Sequence, residues 1–248
     1  MARYKKKTTD CWKRVIILGL ENLKDLVTPI KNDSTYFRPF VRDKTQTDYE
    51  IFFAGINPAT SISTEDLDID KYVSLLENYD EFYKEYQKIR DKKGKNHISR
   101  SRLGTINFLK DLKEQTGREI LETNVIPYPT SNIKELKKKP SDIKKHAREL
   151  FYLVLIEYTP KVIIVYGKTA LEYLVENLAE HEIIAPMGPI TKKLRQIENS
   201  EGPFLTFEYP DGKRGTVFAC RHMMYHGKDG NSFSNFKEKI ISYIMENN

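Results

Sequence analysis

The residues of this chain whose types suit chemistry are polar side chains that follow apolar segments. Asn57 and Pro58 follow an apolar run that ends at Gly55. In open α/β sheets, ligands bind at the carboxyl ends of the strands. A carboxamide there, with its backbone fixed by the next proline, is a candidate for positioning a water molecule or a base edge. Because an amide is a poor base, Asn57 is expected to hold a water rather than to deprotonate it.

Three further apolar segments end in polar residues. The second carries Asn124, the third turns at Gly167 and Lys168, and the last ends at Arg221 and His222. Since the carboxyl ends of parallel strands meet at one edge of a sheet, we expect these residues and the first asparagine to surround one crevice. Each feature also has an ordinary structural interpretation. An Asn-Pro pair is a common turn, and Asn124 can cap or brace the turn before Pro127. A histidine can brace a strand end, and Gly-Lys can start a helix with or without a phosphate.

Apolar runs alternate with amphipathic segments, which predicts an α/β fold with a mainly parallel central sheet. We expect one domain spanning residues 1–248. Strands are predicted at 49–55, 119–126 and 161–166 with a hairpin at 203–220, helices at 11–28, 67–90, 101–115, 141–158, 168–179 and 233–246, and a Lys-rich linker at 134–140.

Composition narrows the class of protein. Of the 248 residues, 39% are hydrophobic and 31% are charged, which predicts a globular, soluble chain with no membrane span. Two cysteines argue against a disulfide framework or a structural zinc site and favour the cytoplasm. The net charge of +6 suits a polyanionic partner without requiring one. An α/β enzyme that acts on free nucleotides is one interpretation. It has little support, because the sequence contains no Walker motif and no cluster of carboxylates for a metal ion.

The ordered motifs resemble those of the uracil-DNA glycosylase superfamily. Gly55-Ile56-Asn57-Pro58 is similar to the first motif of its mismatch-specific and single-strand-selective branches. The run KVIIVYGKTA at 161–170 resembles the strand–glycine–helix unit that precedes the last motif, and VFACRH at 217–222 resembles the strand that leads into it. The resemblance covers roughly residues 45–245 and implies a three-layer α/β/α fold.

This resemblance implies a monofunctional DNA N-glycosylase that flips a pyrimidine out of DNA and hydrolyses its glycosidic bond. Asn57 would position the attacking water, and His222 would donate a hydrogen bond to the base O2. Asn124 would read the Watson–Crick edge. The reaction requires no metal and no cofactor, and we expect a monomer whose partner is DNA. The residues expected to bind the base are Gly55, Ile56, Pro58, Ala59, Tyr72 and Asn124.

Ala59 carries the expectation about the substrate. In the uracil-specific branch of the family, a tyrosine at this place walls off the C5 side of the pyrimidine. A methyl group leaves that side open, so we expect C5-substituted bases such as hydroxymethylcytosine derivatives to be admitted, as well as uracil. Such an enzyme would act in base excision repair or in defence against phage DNA.

The chain departs from the family after the histidine, where Met223 and Met224 replace proline and serine. Either methionine or Tyr225 would fill the hole left by a flipped base, and His226 is an alternative functional histidine. Relative to the family, the segment 61–100 is expanded. A non-catalytic DNA-binding module on the same fold is the competing interpretation. The residues expected to contact DNA are Thr60, Ser61, Gly167, Lys168, Arg221, Met223, Met224, Tyr225 and His226.

Overall fold

A six-stranded sheet organises the chain. The computed structural model describes residues 23–30, 33–43, 45–227 and 230–247. The strands are β1 (Phe40–Val41), β2 (Ile51–Gly55), β3 (Ile120–Asn124), β4 (Val162–Tyr166), β5 (Leu205–Glu208) and β6 (Arg214–Cys220), in the order β1-β3-β2-β4-β6-β5.

The four central strands of this sheet are parallel. β3, β2, β4 and β6 pair in that order, while β1 and β5 are antiparallel edge strands. This confirms the α/β class and the mainly parallel sheet. It also places the carboxyl ends of the four parallel strands at one edge, where polar residues follow each strand.

Nine α-helices lie in the described part of the chain, most of them between or after the strands. They are α1 (Leu23–Val27), α2 (Ile69–Leu76), α3 (Tyr79–Lys92), α4 (Arg100–Thr116), α5 (Ile133–Lys138), α6 (Ser141–Tyr158), α7 (Lys168–Glu180), α8 (Leu194–Glu198) and α9 (Ser234–Glu246). Among the described residues, none of these helices is long and apolar enough to cross a membrane.

Helices cover both faces of the sheet because strand residues alternate between two cores. Phe52 and Ile163 pack in a core with residues of α2, α3, α6 and α7. Their neighbours Phe53 and Ile164 pack on the opposite side with residues of α4 and α9. This two-sided burial explains why β2 and β4 are continuous apolar runs.

Two predictions about helices were wrong. Residues 67–90 form two helices instead of one, because the Asn78 side chain accepts from the Glu81 N–H and starts α3 anew. The segment predicted as a linker contains α5, which Asn132 caps by accepting from the Glu135 N–H. Most of the helix predicted at 11–28 lies outside the described residues, as does Cys11.

Candidate functional site

A cavity of about 340 Å³ lies at the carboxyl ends of the parallel strands. The sheet forms one side of it, and α3, α4 and the segment between them form the other. It exceeds the roughly 150 Å³ that a single benzene ring occupies in an engineered cavity, so it has room for a pyrimidine and more. The cavity is bordered by six of the residues that the sequence singled out, Ile56, Asn57, Pro58, Ala59, Asn124 and His222.

The side-chain amide of Asn57 is held by Thr130. Nδ2 of Asn57 donates to Thr130 Oγ1 at 2.8 Å and to the Thr130 carbonyl oxygen at 3.1 Å. The Thr130 hydroxyl donates in turn to the Asn132 carbonyl at 3.0 Å, so its lone pair faces the amide. With Nδ2 engaged and no described residue donating to Oδ1, Asn57 is left to accept a hydrogen bond through Oδ1.

His222 follows β6 and begins the short 3₁₀ helix Met223–Tyr225. The backbone N–H of Met224 donates to Nδ1 of His222 at 3.3 Å. A neutral imidazole whose Nδ1 accepts carries its proton on Nε2. Burial lowers the pKa of His222, which keeps the ring neutral at pH 7. His222 borders the cavity, and its ring is an uncharged imidazole whose N–H donor is on Nε2.

The side chain of Tyr166 explains why residue 55, two positions before Asn57, is glycine. A Cβ atom added to Gly55 would lie 2.3 Å from Tyr166 Oη and 3.1 Å from Asn124 Oδ1. The Tyr166 ring stacks on Phe53 with centroids 4.9 Å apart and meets His222 edge-on at 5.6 Å. Burial raises the pKa of Tyr166, so its hydroxyl stays protonated. Position 55 thus has no room for a side chain, because the tyrosine crosses the strand there.

A partly buried ion pair and two tyrosines form one wall of the cavity. Arg102 Nη1 donates to both carboxylate oxygens of Glu122 at 2.5 Å, and Nη2 donates to Tyr79 Oη at 2.6 Å. Tyr83 Oη donates to Glu122 at 3.1 Å, and the Arg102 guanidinium lies 3.8 Å from the Tyr83 ring centre. Although burial opposes it, the charge of Glu122 raises the pKa of Arg102 well above its ordinary value. The wall is therefore held rigid by charge-assisted bonds.

The structure places Tyr72 in the hydrophobic core, away from the cavity. Its ring stacks on Tyr36 with centroids 4.6 Å apart, and its hydroxyl donates to the Phe37 carbonyl at 3.0 Å. It is fully buried there, so it has no access to a base. Tyrosines that do border the cavity are Tyr79, Tyr83, Tyr86 and Tyr166.

Thr60 is also an internal residue rather than a surface contact. It is fully buried, its carbonyl accepts from Arg38 at 2.6 Å, and its hydroxyl accepts from Arg90 at 2.8 Å. Ser61 is partly exposed, and its carbonyl accepts from Lys93 Nζ at 2.9 Å. With Lys95 Nζ at 3.4 Å from the Thr60 hydroxyl, four cationic side chains hydrogen-bond the two residues after Ala59.

The four residues after His222 comprise two buried and two exposed side chains. Met223 is fully buried beside α4, whereas Met224 and Tyr225 are 40% and 55% exposed. His226 is buried and packs against Phe108, and neither ring nitrogen has a hydrogen-bond partner among the described residues. Of these four residues, Met224 and Tyr225 are the ones that a partner molecule can reach.

Arg221 is engaged in an ion pair with Glu198. Its Nε and Nη2 donate to that carboxylate at 2.8–3.0 Å, and Nη2 also donates to the Ser232 carbonyl at 2.7 Å. Glu198 is itself almost fully buried. This arginine therefore fixes the chain before His222 and has little freedom to contact DNA.

Gly167 and Lys168 begin α7 beside the cavity. The Gly167 N–H donates to the Cys220 carbonyl at 2.9 Å, so it is not available to a phosphate. A Cβ atom at Gly167, whose φ is +93°, would lie 3.8 Å from His222 Cδ2. Lys168 is half exposed, with Nζ 3.8 Å from Glu172. A contact of 3.8 Å is an ordinary one, so the left-handed φ rather than a lack of space accounts for glycine at this position. Lys168 is a surface residue.

Thr130, Tyr166 and the pair of Arg102 with Glu122 lie at or next to the cavity and were not predicted from the sequence. One signal pointed to Glu122, because residues two apart on a strand face the same way and Asn124 follows it by two. Nothing local identifies Thr130, which reaches Asn57 across 73 positions of sequence. In the part of the chain that the structure describes, no group of three or more histidine, cysteine or acidic side chains is placed to hold a metal ion.

No family model and no curated protein matches this chain. Its function must accordingly be inferred from the side chains around the cavity. These offer an amide acceptor at Asn57, a neutral N–H donor at His222, and a second carboxamide at Asn124. Such donors and acceptors are able to hydrogen-bond a flat polar ring, and a donor aimed at the ring would stabilise negative charge on it.

Proposed function

We propose that the protein is a DNA glycosylase of the uracil-DNA glycosylase superfamily that excises a pyrimidine base. The observation that carries the proposal is that Asn57 and His222, from separate strand ends, border one cavity in complementary hydrogen-bonding states. The sheet with helices on both faces agrees with the three-layer fold proposed for this superfamily.

The proposed reaction is hydrolysis of the N-glycosidic bond. The bond between C1′ and the base nitrogen breaks with its electron pair leaving on the base, and a water molecule bonds to the oxocarbenium-like C1′. Asn57 Oδ1 accepts a hydrogen bond from that water and orients it. The water proton passes to solvent, because a carboxamide is too weak a base to take it.

His222 stabilises the departing base. Its Nε2–H would donate to the pyrimidine O2, where negative charge grows as the bond breaks. Burial lowers the pKa of His222, so the ring that donates to O2 is the neutral imidazole. Asn124 would pair with the Watson–Crick edge, since a carboxamide offers both a donor and an acceptor.

Access to the cavity agrees with an extruded nucleotide as substrate. Met224 and Tyr225, two and three positions after His222, are large side chains exposed at the surface. Such side chains fill the space that a flipped base leaves in the duplex. Ala59 is exposed at the cavity and carries only a methyl group, so substituents at C5 of the pyrimidine would be admitted.

The test is strand breakage after hot alkali on DNA duplexes that carry uracil, a thymine mismatch, hydroxymethylcytosine or glucosylated hydroxymethylcytosine. We expect the wild-type protein to leave alkali-labile sites at one or more of these bases. Asn57→Ala should abolish breakage while DNA affinity survives, and Asn199→Ala, the same change outside the cavity, should retain it. DNA that is bound but never broken would contradict catalysis and favour a DNA-binding module.

A further inference from the structure

Two buried arginines meet at the cavity beside Ala59. Arg38 precedes β1, and Arg90 lies near the end of α3. Arg38 is 6% exposed and Arg90 is 9% exposed. Both border the cavity. Arg38 Nη2 donates to the Thr60 carbonyl at 2.6 Å, and Arg90 Nη1 donates to the Thr60 hydroxyl at 2.8 Å. Both positive charges therefore lie next to the residue that follows Ala59.

Neither arginine forms an ion pair with a carboxylate among the described residues, unlike other partly buried arginines of this chain. Arg42 pairs with Glu77, Arg102 with Glu122 and Arg221 with Glu198. Arg38 instead lies over the rings of Phe82 and Tyr86, at 5.2 and 4.9 Å from their centres.

Aromatic faces compensate only part of the cost of burying a cation. Lys95 adds a third positive charge, with Nζ 3.4 Å from the Thr60 hydroxyl. Burial would raise the pKa of Tyr86, yet the charge of Arg38 leaves that pKa lowered. This corner of the cavity is consequently electropositive.

The hydrogen bonds to Thr60 use only some of the N–H groups of the two guanidinium groups. Arg90 uses Nε on the Asn96 carbonyl at 2.9 Å and Nη1 on Thr60, and no described residue accepts from its Nη2. In Arg38, Nε likewise has no partner within the described residues. A neutral donor would serve the threonine equally well without the cost of a buried charge.

We propose that Arg38 and Arg90 form a subsite for an oxyanion, a carboxylate or a phosphate, inside the cavity. A guanidinium group matches these anions because its N–H groups donate in a planar fork. If the protein acts on DNA as proposed above, the oxyanion belongs either to a substituent at C5 of the extruded pyrimidine or to a phosphate of the strand. The subsite itself does not depend on that activity.

The first test uses inorganic phosphate without DNA, measured by calorimetry on the full chain. We expect phosphate to bind the wild-type protein and to bind Arg90→Gln about tenfold more weakly, as expected for a lost charge-assisted hydrogen bond. Lys88→Gln, the same loss of charge on an exposed residue of α3, should bind as the wild type does. Equal affinity of wild type and Arg90→Gln, or no binding to the wild type, would overturn the subsite.

A charge-retaining variant covers the case in which Arg90→Gln does not fold. Arg90→Lys keeps the positive charge but loses the planar fork, so phosphate should still bind it more weakly than the wild type. Phosphate affinity equal to that of the wild type would count against recognition by the guanidinium group.

The second test identifies the source of the oxyanion by single-turnover excision from duplexes with 5-carboxyl and unsubstituted pyrimidines. An oxyanion on the base predicts that Arg90→Gln lowers the ratio of the two rates about tenfold. A strand phosphate predicts that both rates and DNA affinity fall together at a constant ratio. No change in either quantity would refute a role in DNA recognition. Phosphate binding that depends on Arg90, in a protein that excises no base, would overturn the glycosylase proposal alone.

Discussion

The hydroxyl of Thr130 should set the excision rate through Asn57. Of the hydrogen bonds that hold the Asn57 amide, the one to Thr130 Oγ1 is the shortest at 2.8 Å, followed by the carbonyls of Thr130 at 3.1 Å and Pro58 at 3.2 Å. Thr130→Val keeps the shape of the side chain and both carbonyls but removes the hydroxyl. The amide then loses its best acceptor and gains freedom to rotate away from the water.

The expected magnitude follows from one hydrogen bond. A single hydrogen bond of this kind contributes about 1 kcal/mol. If the whole loss is felt in the transition state, the excision rate falls about fivefold, since 1.36 kcal/mol corresponds to tenfold. DNA affinity should not change, because Thr130 does not border the cavity.

The assay is single-turnover release of the base under saturating enzyme, with DNA affinity measured in parallel. Thr130→Ser, which retains the hydroxyl, is the matched control and should keep the rate of the wild type. An unchanged rate in Thr130→Val, or an equal loss in both variants, would refute the idea that this hydroxyl orients the amide.

Three further outcomes are expected. His222→Ala removes the N–H donor and should slow single-turnover excision, by raising its barrier about 2–4 kcal/mol as for a lost oxyanion donor; a wild-type rate would exclude this role. Ala59→Tyr should selectively exclude C5-substituted bases, whereas equal loss for all bases would contradict an open C5 side. Burial, aided by the charge of Arg148, lowers the pKa of His181 to about 4. The unfolded chain therefore binds more protons between that value and 6.5, and stability must fall as the pH falls through this range. The unfolding free energy of the wild type should fall between pH 7 and pH 5, and that of His181→Gln should fall by about 1–2 kcal/mol less, after allowance for solvent screening. Equal losses in the two proteins would refute the lowered pKa of His181.

The parallel sheet was predictable because buried strands correspond to short, continuous apolar runs in the sequence. The strand that ends at Gly55 and the one that ends at Tyr166 lie within two residues of their predicted bounds. Helix boundaries inside amphipathic stretches were harder, since a side-chain cap such as Asn78 interrupts a helix without interrupting its periodicity. The short edge strand Phe40–Val41 has no pattern of its own and depends on pairing with β3.

A position at the cavity was predictable for residues that lie two places beyond a strand end, as with Asn57 and His222. It was not predictable for residues placed at the cavity by contacts distant in sequence. Spacing alone cannot separate Tyr72, which packs in the core, from Tyr79 and Tyr83, which border the cavity, because all lie on apolar helical faces. The burial of Arg38 without a carboxylate likewise emerges only when the chain folds around it.

The central claim is that the cavity holds an extruded pyrimidine and makes it a leaving group. Mass spectrometry of free bases, released from uracil-containing, natural and phage DNAs, tests it most directly. We expect a free pyrimidine to accumulate with the wild-type protein and to be absent with Asn57→Ala. No free base from any of these DNAs, or equal release by both proteins, would contradict the claim.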